Sequence, residues 1–180
     1  MIFGPFLKIW TVRTGPAMSE KTTNRSAGKP AVQHANQRGA ARLSAVQALY
    51  QMDIGGVTLE ETLAQFAPRL KGVTLDDDTY LPADADYFGQ IVRGVLKNQI
   101  EIDPLIDSTL PATWPVQRID ATLRALLRAG AFEILHKPDV PRAVVISEYV
   151  DVANAFFDEG EPGLVNAVLD KLARTMQDRT

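Results

Sequence analysis

From Arg38 onward apolar residues return every three or four positions, and strict alternation is missing, so the chain predicts helices rather than strands. Leu43, Val46, Leu49 and Tyr50 mark one helix face, which Gly55-Gly56 ends. Thr58 with Glu61 three residues on predicts a capping box for a short second helix carried by Leu59, Leu63 and Phe66 and ended at Pro68. Residues 69–83, with Gly72, Pro82 and the acidic run Asp76 to Asp78, read as a loop. Tyr87 or Phe88, Ile91, Val95 and Gln99 or Ile100 carry a third helix. Gly89 and Gly94 within it each cost about 1 kcal/mol against alanine and predict the close approach of another helix. Asp103-Pro104 predicts an N-cap and first position for a separate short helix through Leu110.

The Pro111–Pro115 segment is the best internal boundary, so two packed helical halves are expected, meeting near residues 111–117. Beyond it, Ile119, Leu123, Leu126, Leu127, Gly130, Ala131 and Ile134 describe a central buried helix, with Arg118, Arg124 and Arg128 placed to wet one edge. Pro141 sits where a helix would begin, with Val145, Tyr149, Val152 and Phe156 as its stripe. Gly160 to Gly163 turns the chain into a last helix carried by Val165, Val168, Leu169 and Leu172. The fold class is therefore all-α, a bundle of about seven helices over residues 38–176.

Charge changes the picture at the N-terminus. Lys8, Arg13, Lys21, Arg25, Lys29, Arg38 and Arg42 stand against Glu20 alone, so the first 50 residues carry net +6 and the other 130 carry −9 of the total −3. Residues 18–37 are polar and poor in large apolar groups, too little to offset ordering entropy, and predict a mobile basic arm that extends the disordered region over residues 1–37. Gly4, Pro5 and Lys8 interrupt the apolar run of residues 1–17, which fits neither a membrane span nor a secretion signal; Met18-Ser-Glu-Lys resembles an ordinary start, so residues 1–17 are expected to be an overextended N-terminus.

The chain has no cysteine, which removes disulfides, thiolate metal sites and cysteine nucleophiles, and a cytoplasmic setting is expected. His34 and His136 form no metal-ligand pair, Ser147 has no nucleophile elbow, and no glycine-rich phosphate loop occurs. The reading is non-enzymatic, with no catalytic residue, no metal and no cofactor. Recognition chemistry remains. Arg38 and Arg42, four apart, share a helix face, and Gln47 and Tyr50 continue along that helix. Guanidinium groups suit phosphates, and Gln and Tyr suit the edges and faces of unpaired bases; mere solubility and a core role for Tyr50 remain open alternatives at this level.

The blocks ARLSAVQALYQMD, DYFGQIVRGVLKN, DVPRAVVISEYVDVANAF and LVNAVLDKLA, in this order over residues 38–174, resemble the bacterial NusB family of transcription antitermination and termination factors. That resemblance implies a non-enzymatic all-helical protein. It implies pairing with the small-subunit ribosomal protein that acts as NusE, binding of single-stranded boxA RNA in ribosomal RNA leader transcripts, and support of an antitermination complex on RNA polymerase. It implies RNA contacts at the basic arm, Arg38, Arg42, Gln47, Tyr50, Tyr87 and the turn before Asn166, all on one face. QRGAAR departs from the arginine run of many members, with Gly39 and Ala40 where arginine is common, so Arg25 and Lys29 are expected to substitute from the arm. EGEPG lacks a lysine that often precedes the last block. Arg118 and Asp120, at the outer edge of the central helix, are the expected partner contacts. Either a monomer or a homodimer fits, with no membrane association. Two alternatives stand beside this: the RNA-positioning domain of a truncated ribosomal RNA cytosine methyltransferase, and a scaffold that binds protein alone.

Overall fold

A computed structural model describes residues 29–72, 74–75, 78–79, 82–158 and 160–177. Its described residues form six helices: α1 (Lys29–Gly55), α2 (Leu59–Leu70), α3 (Ala85–Asp107), α4 (Ala121–His136), α5 (Arg142–Asn154) and α6 (Glu161–Gln177). Between α2 and α3, two two-residue strands, β1 (Thr74–Leu75) and β2 (Asp78–Thr79), pair antiparallel with Thr74 opposite Thr79. The fold is all-α, and this small ladder is the only ordered pairing in the segment read as a loop among the described residues.

Local signals account for several boundaries. Gly56, at φ +60°, follows the end of α1 in a conformation that favours glycine. The Thr58 side chain accepts from the Glu61 amide while Glu61 Oε2 accepts from the Thr58 amide at 3.0 Å, the reciprocal box expected, and this same bond holds the Glu61 carboxyl below its usual range. Asp120 caps α4 by accepting from the Thr122 and Leu123 amides at 2.8 and 3.1 Å.

Four boundaries differ from expectation, one being the turn at Gly160 to Gly163, since α6 already begins at Glu161 and takes in Gly163. Helix α1 begins at Lys29 rather than near Arg38, so part of the expected arm is helical; residues 1–28 lie outside the described residues. Pro68 lies inside α2, which runs on to buried Leu70. Asp103-Pro104 opens no new helix: α3 continues through Pro104, which accounts for six helices in place of seven. Proline costs the bond to the carbonyl four residues back, here that of Ile100, a residue 93% exposed whose carbonyl water can serve. Ile102 and Ile106, both fully buried, carry one apolar stripe across the proline. Asp103 instead takes Arg128 through both oxygens at 2.8 Å.

Helix α4 is the hub, packing against α1, α3, α5 and α6. Leu126 and Leu127 are fully buried, and one continuous apolar core joins residues on both sides of the 111–117 connector. Gly94 lets α3 approach α4: a Cβ there would lie 2.1 Å from Phe132 Cζ. Gly89 has no such role, since a Cβ would meet only the flexible end of Arg93 on its own helix. Nor do Arg124 and Arg128 simply wet an edge. Arg124 binds Asp53, and Arg128, 8% exposed, binds Asp103 and lies 3.6 Å from Asp53, tying α4 to α1 and α3.

Candidate nucleic-acid interface

Helix α1 places Arg38 and Arg42 one turn apart on the same side, as its register requires, yet they meet different fates. Arg38 is exposed, with its guanidinium 4.8 Å from the centroid of the Tyr87 ring. Arg42 is 3% exposed. Its Nε and Nη2 donate to Glu133 at 3.0 and 2.9 Å, its Nη1 donates to Glu148 at 2.8 Å, and its Nη2 also donates to the Tyr87 hydroxyl at 3.1 Å. The expectation that Arg42 contacts phosphate is therefore corrected: its donors are spent inside the protein, where they compensate the fully buried Glu133 carboxylate.

Tyr87 and Tyr149 complete this network by donating to Glu133 at 2.6 and 2.8 Å, so α1, α3, α4 and α5 converge on one carboxylate. Burial acts to lower the Arg42 pKa, but the hydrogen bonds and charge of Glu133 reverse that and hold it raised. Burial, reinforced by Glu133, pushes both tyrosine hydroxyls above their ordinary value. Tyr87 is 4% exposed with its hydroxyl turned to Glu133, and the expected direct RNA contact at Tyr87 is corrected on the same ground. Sequence reasoning misses Glu133; the available signal is that it is the single acidic residue of α4.

Gln47 and Tyr50 are half-buried on α1, and Asn166 is exposed on α6. Helices α1 and α6 do not pack on each other, with α4 touching both. The side chain of Lys29 and all of Arg25 lie outside the described residues. Arg118 and Asp120 are exposed beside a cavity of about 530 Å³ lined also by Thr113, Trp114, Leu123 and Leu164, with Trp114 55% exposed; sequence reasoning had passed over Trp114. Asp120 Oδ1 is engaged in the α4 cap, whereas Arg118 has no ion pair among the described residues. No group of His, Asp and Glu that could hold a metal occurs among the described residues, and no described helix is long and apolar enough to cross a membrane.

Residues 39–174 match the family model described as the NusB family. The chain belongs to the NusB family. A relative named transcription antitermination protein NusB from Agrobacterium fabrum is 52% identical over 160 residues, covering 89% of this chain and 97% of that protein. The NusB so named from Bradyrhizobium diazoefficiens is 57% identical over 140 residues, covering 78% and 85%. Among solved structures, T. maritima NusB aligns with TM-score 0.63 at 28% identity over 76% of this chain and 90% of that one. A structure described as antitermination factors NusB and NusE in complex with dsRNA has the same fold, with TM-score 0.65 at 23% identity over 78% and 98%. The NusB assignment agrees with the four sequence blocks, which fall on α1, α3, the 139–156 segment with α5, and α6.

Proposed function

We propose that this NusB-family chain is a cytoplasmic, non-catalytic RNA-binding antitermination factor that joins the ribosomal protein acting as NusE on boxA-type single-stranded RNA and supports an RNA polymerase antitermination complex. The observation that carries this reading is 52% identity across nearly the whole length of a relative named for antitermination. The NusB fold is also the one found with NusE and RNA in a solved complex.

On this chain the RNA side comprises Arg38 for phosphate, with Gln47, Tyr50 and Asn166 offered to bases, and Arg25 and Lys29 as further cations preceding them. Arg38 supports this assignment because it is exposed and has no carboxylate partner among the described residues. The ribosomal partner takes the cavity at Trp114, Arg118 and Asp120, where an exposed indole beside a cation suits a protein surface.

The test is a titration of boxA-type and scrambled single-stranded RNA across salt, with and without the ribosomal partner. Preference for the boxA-type strand in the partner's presence is expected. Arg38→Ala should flatten the log–log salt dependence by about 0.7. Equal binding of both strands with the partner present would remove the boxA reading.

A further inference from the structure

Besides Arg38 and the buried Arg42, a third cation reaches the Tyr87 ring. Lys137, the residue that follows α4, sets its Nζ 5.6 Å from the ring centroid and donates to Gln90 Oε1 on α3. Arg38 and Lys137, 99 positions apart in the chain, thus lean on one aromatic ring from α1 and from the end of α4. We infer that Arg38 and Lys137 together form a phosphate-docking pair for the RNA backbone, with Tyr87 as the positioning residue that holds both. This rests on the RNA-binding reading above and adds a contact outside the four sequence blocks of that reading.

The charge around the ring favours an anion there. Neither cation has a carboxylate partner among the described residues. Glu133 is sealed beneath and answered by Arg42 and two hydroxyls, Glu148 accepts from Arg42, and Asp84 accepts from the Tyr87 amide. Asp86, exposed on the same turn of α3, and Asp139, exposed two residues after Lys137, are nearby carboxylates without such a bond and moderate the site without filling it. Two like charges brought to one neutral ring repel, and a phosphodiester relieves that repulsion while water remains on the outer side. The Tyr87 hydroxyl is turned inward to Glu133, so the ring serves as a floor and not as a base-stacking face.

The experiment measures salt-dependent binding of boxA-type and scrambled RNA by the full chain with its ribosomal partner, comparing wild type, Lys137→Gln, Lys137→Arg and Arg38→Gln/Lys137→Gln. Thermal unfolding of Lys137→Gln should stay close to wild type, because the helix end uses only the backbone of Lys137 and its side chain adds one exposed bond to Gln90 and the ring contact. Lys137→Gln is expected to lower the magnitude of the log–log slope by about 0.7, the double change by about 1.4, and Lys137→Arg to keep the wild-type slope. The ratio of affinities for the two strands should stay unchanged, since a phosphate contact carries no sequence information. A wild-type slope in Lys137→Gln, or a lost strand preference, overturns the phosphate pair while wild-type RNA binding stands. A loss confined to affinity for the ribosomal partner also overturns it, and assigns Lys137 to a protein contact. Failure of the wild type to bind either strand at low salt removes the RNA reading and the pair together.

Discussion

Arg42 on α1 and Glu133 on α4, 91 residues apart, form a bidentate pair at 3.0 and 2.9 Å with almost no access to solvent. The pair joins the N-terminal helix to the hub of the fold. Its two neighbouring hydroxyls and Glu148 satisfy the remaining donors and acceptors, the condition under which a buried ion pair is tolerated.

Removing one member should expose the cost of the other. Arg42→Met is expected to destabilise by about 3–5 kcal/mol by stranding the Glu133 carboxylate. A urea titration should show a lower midpoint at unchanged slope. Adding Glu133→Leu should recover part of the loss, and Phe at Tyr87 and Tyr149 more, because those hydroxyls would otherwise lack their acceptor.

The same cluster sets an alkaline limit. The folded state raises the pKa of Tyr87 and Tyr149 above the ordinary 10.0, so between 10 and those raised values the folded chain holds protons that the unfolded chain has released. Stability contributed by these groups is whole below about pH 10 and declines above it, by about 1.4 kcal/mol per pH unit for each tyrosine. Tyr149→Phe should remove one proton's share of that slope in denaturation midpoints measured from about pH 9 to 11. A slope identical to wild type would contradict the assignment.

Helix spacing at Gly94 is sensitive to one methyl group. With Phe132 Cζ at 2.1 Å from the position of a Cβ, Gly94→Ala is expected to cost about 1–3 kcal/mol despite alanine's better helix propensity. Phe132→Leu in that background should return part of the loss, as calorimetry would report. Gly89→Ala, with only the end of Arg93 to displace, should be close to neutral or stabilising.

At the proposed partner cavity, Trp114→Ala is expected to weaken binding of the ribosomal protein by at least about tenfold, about 1.4 kcal/mol. Because Trp114 is more than half exposed, its melting temperature should not change. Isothermal titration of the ribosomal protein and a thermal scan together check this, and undiminished affinity would move the partner surface elsewhere.

Periodicity and capping residues sufficed for most of the helices and several of their ends. The apolar stripes of α3, α4, α5 and α6, the Thr58–Glu61 box and the turn at Gly55-Gly56 depend on neighbours within a few positions, and the four sequence blocks identified the family. The prolines marked the limit of that reasoning. Pro104 carries the same local signal whether it opens a helix or lies within one, and the burial of Ile102 and Ile106 on a single stripe selects the second. The two arginines marked it again. Arg38 and Arg42 are equivalent by register, both cationic and one turn apart, so sequence assigns them a common face and no more. Which one meets solvent was decided by Glu133 and Glu148, brought to Arg42 from α4 and α5, because a buried carboxylate must find a cation wherever the packing of distant helices supplies one.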